Sequence, residues 1–122
     1  MDRYELGRRG EAAAARYLER RGWRILDRNY RSGHKEVDLV ARRGRVLAFV
    51  EVKTRRNGSF GHPLESITWQ KRREVAACAR GWIREHPPSS GTIRRFDAVA
   101  VRLEPCGRVV IEHVADAWWA GE

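Results

Sequence analysis

Residues 46–54 read VLAFVEVKT, a β-prone apolar run that holds one carboxylate and one ammonium two positions apart. Alternate residues of a strand share a face, so Leu47, Phe49, Glu51 and Lys53 project together while Ala48, Val50 and Val52 point the other way. A carboxylate on an otherwise apolar face is costly unless a positive charge or a hydrogen-bond donor meets it. Glu51 and Lys53 are therefore either an ion pair on an edge strand or part of a site, and the flanking segments bear on the choice.

Upstream, Glu36-Val37-Asp38-Leu39-Val40-Ala41 predicts a second strand, joined to Val46–Thr54 by the tight basic turn Arg42-Arg43-Gly44-Arg45. Trp23 to Arg31 predicts a strand before it, ending at the turn Ser32-Gly33, so the three form an antiparallel meander. Leu6, Gly10, Ala14, Tyr17 and Leu18 recur at helical spacing and predict a first helix from Tyr4 to Arg21, stopped by Gly22. Downstream, a loop from Arg55 to Glu65 precedes a second helix from Ile67 to Glu85, with Lys71, Val75, Cys78, Ala79, Trp82 and Ile83 on one side and Pro87-Pro88 at its end. Arg95–Val101 and Val109–Val114 predict two further strands, and the tail with Trp118-Trp119 is expected to pack back on the core. The order is α-β-β-β-α-β-β over residues 1–122, in one layered α/β domain.

Charge narrows the partners. Twenty-five Lys and Arg against 16 Asp and Glu leave a formal charge of +9, which favours a partner bearing phosphate, nucleic acid above all. The amino terminus lacks the apolar core of a signal peptide and no run approaches the ~20 apolar residues of a membrane span, so the expectation is a cytoplasmic protein with no membrane partner. Cys78 and Cys106 read as free thiols, and His34, His62, His86 and His113 share no ligand spacing. Trp69 and Trp82 are either core residues or stacking platforms for unpaired bases.

The acids are ordered differently. Glu36 and Asp38 share a face of the second strand, Glu51 and Lys53 a face of the third, and the short turn makes the strands neighbours, so Asp38 and Glu51 converge. Carboxylates gathered on a half-buried sheet repel unless a cation neutralises them. A hard ion such as Mg²⁺ takes oxygen ligands, for which the two carboxylates, the carbonyl of Val52 and waters would serve. Glu11, seven residues before Leu18, falls near the buried stripe of the first helix, where it can join the site or pair with a nearby arginine. Gly7 and Gly10 beside it would let the helix backbone approach the sheet closely.

The ordered blocks Gly7-Arg8-Arg9-Gly10-Glu11, Gly22 with Ile25-Leu26, Arg28-Asn29-Tyr30-Arg31, Glu36-Val37-Asp38-Leu39, Phe49 to Arg55 and Arg95-Phe96-Asp97-Ala98-Val99 together resemble the YraN family. That family is grouped with the restriction-endonuclease-like PD-(D/E)xK superfamily and is similar to archaeal Holliday-junction resolvases. The resemblance runs from Gly7 to about Trp118 and implies the restriction-endonuclease-like fold, a three-layer domain with a mixed central sheet flanked by helices. It also implies a Mg²⁺- or Mn²⁺-dependent nuclease that hydrolyses phosphodiester bonds of DNA, branched or single-stranded, or of RNA, with DNA the stronger expectation.

Carried over by position, the metal-binding acid falls on Asp38, the acid of (D/E)xK on Glu51, its lysine on Lys53 and the helical glutamate of the resolvase-like branch on Glu11. Val37 stands where the superfamily motif has proline. Glu36 or Glu11 would complete the metal shell or hold a second ion. Arg55, Arg56, the Gly58 to Gly61 loop and Lys71 would grip the phosphate backbone. One site in so small a domain cuts one strand, so double-strand or junction cleavage would call for a homodimer. The alternative is an accessory nucleic-acid-binding module that keeps the nuclease fold without independent catalysis.

Overall fold

The carboxylate of Asp2 accepts the Glu5 N–H at 2.8 Å and so caps helix α1, Arg3–Arg20, which Gly22 terminates at φ +87. The structure, a computed structural model, describes residues 2–56 and 63–119. Strands β1 (Arg24–Ser32), β2 (Lys35–Arg43) and β3 (Val46–Arg56) follow α1 as the expected meander. A 3₁₀ turn at Pro63–Ser66 leads to helix α2 (Trp69–Glu85), then to strands β4 (Ile93–Leu103) and β5 (Val109–Trp118). All five strands join one sheet in the order β1-β2-β3-β4-β5, antiparallel throughout except for the parallel pair β3–β4 that the α2 crossover connects.

The alternation read in VLAFVEVKT decides the two cores. Leu47 and Phe49 pack with Val75, Ala76, Cys78, Ala79 and Trp82 of α2. Ala48, Val50 and Val52 pack with Ala13, Ala14, Ala15 and Leu18 of α1. One helix covers each face, which gives a three-layer α/β/α arrangement around a mixed five-stranded sheet. Among the described residues no helix is long and apolar enough to cross a membrane.

The packing of α1 has a tight point. A Cβ built on Gly10 would lie 1.8 Å from Thr54 Oγ1 and 2.7 Å from Thr54 Cβ, so only glycine lets α1 lie this close to β3. Gly7 has open space around it and does not share that role.

Several ends differ from expectation. The first hairpin turns at Gly33-His34, with Gly33 at φ +63, and Ser32 pairs with Lys35 as part of β1. Helix α2 starts at Trp69 because Thr68 caps it, its hydroxyl accepting the Lys71 N–H at 3.1 Å, while Ile67 is buried in the core. Strand β4 begins at Ile93, whose N–H reaches the Arg45 carbonyl at 2.7 Å. Trp118 is no tail residue: it ends β5, pairs with Phe96 across a bulge and stacks on that ring at 5.3 Å, while Trp119 is 72% exposed.

Asp97 ties β4 to β5. Fully buried, it accepts two hydrogen bonds from Arg95 at 2.8 and 2.9 Å and the Asp116 N–H at 3.0 Å, and its Oδ2 lies 2.7 Å from His113 Nε2. Burial pushes its carboxyl up, but His113, Arg95 and the Asp116 N–H outweigh it and hold the group below the ordinary aspartate value. A depressed carboxyl contributes stability that is present above its unfolded value and is lost as pH falls through its folded one.

Two outcomes are expected. Gly10→Ala should destabilise the fold by about 1–3 kcal/mol in urea unfolding, as overpacking does; an unchanged midpoint would refute the close approach of α1. Asp97→Asn should cost on the order of 3 kcal/mol at neutral pH, since it leaves Arg95 without its carboxylate. It should also flatten the acid limb of the pH–stability profile relative to wild type, as measured by thermal unfolding.

Candidate functional site

The β2–β3 ladder ends at Leu39↔Val50, and there the two strands part. In the running register Val52 would next face Val37, but the Asp38 carboxylate enters the gap and accepts the Val52 N–H at 2.7 Å. The alternation of β2 slips at the same place: Val37 and Val40, three residues apart, both join the core beneath α2. Asp38 is thereby buried beside Glu51, at 9% and 3% exposed.

Two lysines answer Glu51. Its Oε2 lies 3.7 Å from Lys53 Nζ on the same strand and 3.8 Å from Lys71 Nζ in the first turn of α2. Its Oε1 is buried with no hydrogen-bond partner among the described residues. Burial is the largest influence on both carboxyls and pushes both up. Asp38 stands well above the aspartate range, raised further by the Glu51 charge and opposed by the Val52 N–H, while Lys71 and Lys53 act against the rise at Glu51. Asp38 is thus the member of the pair that holds a proton more readily.

A second pair of acids adjoins the first. The Asn29 amide donates to Glu11 Oε1 at 2.9 Å and to Glu36 Oε1 at 3.1 Å. Asn29 sits at φ +50, and the pair Asn29↔Asp38, due between Arg28↔Leu39 and Tyr30↔Val37, is missing from the β1–β2 ladder. Burial raises the Glu11 carboxyl, Asn29 opposes this, and the Asp38 and Glu36 charges add to the rise. Glu11 is therefore a neighbour of the site through Asn29, and the Arg8 charge acts on it as well. Glu36 shares a hollow under the start of α1 with Glu11, Tyr4 and Arg8, and its charge also acts on Asp38 and Glu51.

Among the described residues no group of three or more His, Cys, Asp or Glu stands arranged as a metal shell, although the charges of Glu11, Glu36, Asp38 and Glu51 act on one another. The donor set of the first pair nevertheless suits a hard cation. Glu51 Oε1 is an unsatisfied buried oxygen next to a second carboxyl, and Mg²⁺ binds through one or two carboxylates while keeping several waters. Val52 enters the site through its N–H.

The basic residues divide. Lys71, like Lys53, is drawn against Glu51. Arg55 and Arg56 are exposed on the end of β3. Arg56 lines a hollow of about 530 Å³ with Arg9 and Arg16 of α1. The Gly58 to Gly61 loop lies outside the described residues. Trp69 is exposed, whereas Trp82 is buried and donates its Nε1–H to Asp27 at 3.1 Å.

Sequence spacing gives Asn29 no role and treats Arg9 and Arg16 as ordinary helix surface. A cue existed for Lys71, since a lysine on an apolar helical stripe demands an acid across from it. Asn is among the few residues that tolerate the left-handed region, which fits Asn29 to its irregular place.

Fold and site together define a small α/β protein with a buried acid pair, countered by two lysines, at the parting of two strands. The match to a family model places the chain more closely: residues 10–101 fit the uncharacterised protein family UPF0102, and the chain belongs to that family. A UPF0102 protein of Rhodococcus opacus is 46% identical over 113 residues, 93% of this chain and 95% of its own. Another from Anaeromyxobacter dehalogenans is 47% identical over 116 residues, 95% and 85% of the two chains, and one from Chloroherpeton thalassium is 44% identical over 102 residues, 84% and 78%. This is the YraN family of the sequence blocks, carried here by the same ordered residues.

A raised carboxyl favours the folded state below its unfolded value, and that benefit is lost as pH rises through the folded value. With chelator present, Asp38→Asn should therefore raise the melting temperature at mildly alkaline pH and reduce the fall in stability between acid and alkaline conditions. A steeper fall in the variant would show that Asp38 is not the strained acid.

Proposed function

We propose that the chain is a metal-dependent nuclease of the restriction-endonuclease-like class, acting at the Asp38–Glu51 pair on phosphodiester bonds of DNA or RNA, with DNA the stronger candidate. The observation that carries this reading is Glu51: a buried carboxylate with one unpartnered oxygen, a second carboxyl beside it and two lysines against its other oxygen. Burying an unsatisfied carboxylate oxygen costs stability, and a site that binds a cation recovers it.

Asp38 and Glu51 would hold Mg²⁺ or Mn²⁺. Such an ion, when bound, lowers the pKa of water and polarises a phosphoryl oxygen. Around it, the chain's own groups have separate tasks. Asp38 is anchored by the Val52 N–H and so presents its remaining oxygen from a fixed position. Lys53, the lysine that the (D/E)xK resemblance selects, has a little over a quarter of its side chain exposed and would meet a phosphate and neutralise charge growing on its oxygens; Lys71 is similarly exposed. Lys71 balances Glu51 from the α2 side. Asn29 ties Glu11 and Glu36 together, which keeps two further carboxylates close without crowding the first pair. The +9 charge and the Arg9, Arg16 and Arg56 hollow suit a nucleic-acid backbone.

One observation favours a second reading, a nucleic-acid-binding accessory module without catalysis. Lys53 and Lys71 already neutralise Glu51, so the pair is tolerable with no ion at all.

The two readings separate in one experiment. Wild type and Glu51→Gln are given duplex, single-stranded, flap and four-way-junction DNA and structured RNA, with Mg²⁺ or Mn²⁺. The nuclease reading expects divalent-dependent cutting that falls roughly a hundredfold or more in the variant, with binding retained. It also expects the ion alone to raise the wild-type melting temperature and not the variant's, a stabilisation of about 2.7 kcal/mol at a hundredfold excess over Kd. Salt-sensitive binding with neither cutting nor ion-dependent stabilisation would select the accessory module.

A further inference from the structure

We propose that the hollow between the carboxyl-terminal half of α2, the start of β4 and the end of β5 binds an unpaired nucleobase together with its phosphate; this rests on the nucleic-acid reading and adds a second contact to it. The hollow has a volume of about 540 Å³, within the range of small-molecule pockets. Its floor is aromatic. Phe96 and Trp118 stack at 5.3 Å with 16° between their planes, and Phe49 lies 5.9 Å from Phe96. Trp118 is 3% exposed, lines the hollow and has an Nε1–H with no hydrogen-bond partner among the described residues. Buried indole N–H groups are ordinarily satisfied, so this unpartnered donor, shielded from solvent beside the hollow, is a place where a small movement of the ring would let a seated base supply the missing acceptor.

The rim supplies what a nucleotide needs beyond a hydrogen bond. Trp119 presents an exposed ring, and bases stack on such rings irrespective of sequence because every base has a π-face. Arg80 and Arg94 stand exposed on the lining, where a phosphate would meet them. Arg95, also on the lining, is committed to Asp97 and adds no free charge. Asp116 is the sole acid among the described lining residues, so the wall remains net positive. A ring donor, stacking surfaces and two guanidinium groups around one hollow fit a planar, hydrogen-bond-accepting anion.

Placement relates the hollow to the acid pair. Both lie on the α2 face of the sheet, Lys71 at the start of the helix and Ile83 near its end, twelve residues or roughly 18 Å apart along the axis. A few nucleotides of single strand cover that distance. A strand with one base seated against Trp118 would thus run toward Glu51, and the hollow would favour unpaired over duplex substrate.

The test is binding, measured by fluorescence anisotropy in chelator so that nothing is cut. The probes are a labelled short oligothymidylate and the same chain with abasic sites in place of bases. Wild type should bind the base-bearing strand about tenfold more tightly. Trp119→Ala, and Trp118→Phe, which keeps a six-membered ring and removes the N–H together with the rest of the pyrrole ring, should each lose most of that preference while binding the abasic strand like wild type. Equal binding of both strands by wild type, or a preference untouched in both variants, would overturn the pocket and leave the nucleic-acid reading standing. No binding of either strand would overturn both. A wild-type dimer in sedimentation that Trp119→Ala dissociates would make the hollow an interface between two copies and overturn the proposal.

Discussion

A carboxylate in the place of a backbone carbonyl organises this molecule. Where β2 separates from β3, the Val52 N–H would lose its ladder partner, and an unpaired buried amide is expensive. Asp38 fills the gap with Oδ2 at 2.7 Å. The strands can diverge only because the acid is there, and the acid can be buried only because the strands diverge. The rest of the site answers the charge problem that results, with Glu51 pressed against Asp38 and two lysines pressed against Glu51.

Both helices are needed to complete the arrangement, and each is placed by a different device. Helix α1 approaches β3 at Gly10, which puts the next residue, Glu11, within reach of Asn29. Helix α2 is started by Thr68, and its first turn delivers Lys71 to the acid pair. The outcome is a strongly basic chain with three buried acids, Asp38, Glu51 and Asp97, among its described residues. A ligand phosphate drawn in by the surface field would meet acids at the centre, an arrangement that suits a divalent cation bridging the two.

How much of this could be read from residues alone depends on whether the determinant was periodic. The alternation in VLAFVEVKT assigned Glu51 and Lys53 to one face and the two cores to opposite sides, as found. The helical stripes and the strand order were equally legible, and Asp38 and Glu51 did converge. Departures from period were not legible. The slip that puts both Val37 and Val40 in the core beneath α2, and the left-handed Asn29, follow from register gaps that no spacing reveals. Asp97 and His113 meet through a bulged pair of strands, so their partnership depends on tertiary pairing that local pattern does not contain. Trp118 belongs to β5 for the same reason, since the bulge lets the strand continue past the point where its apolar run ends.

The parallel pair β3–β4 carries a consequence for how the chain reaches this state. β1, β2 and β3 are joined by tight turns and can zip together locally, but β4 must wait for the α2 crossover to close. Until then β3 has an open edge, and Glu51 lacks the lysine that α2 brings. The early meander would therefore carry its acid pair only partly compensated, a local conflict that lasts until the distant half of the chain docks. Folding of this protein should accordingly be limited by a long-range closure, with the acid pair the last part of the sheet to become comfortable.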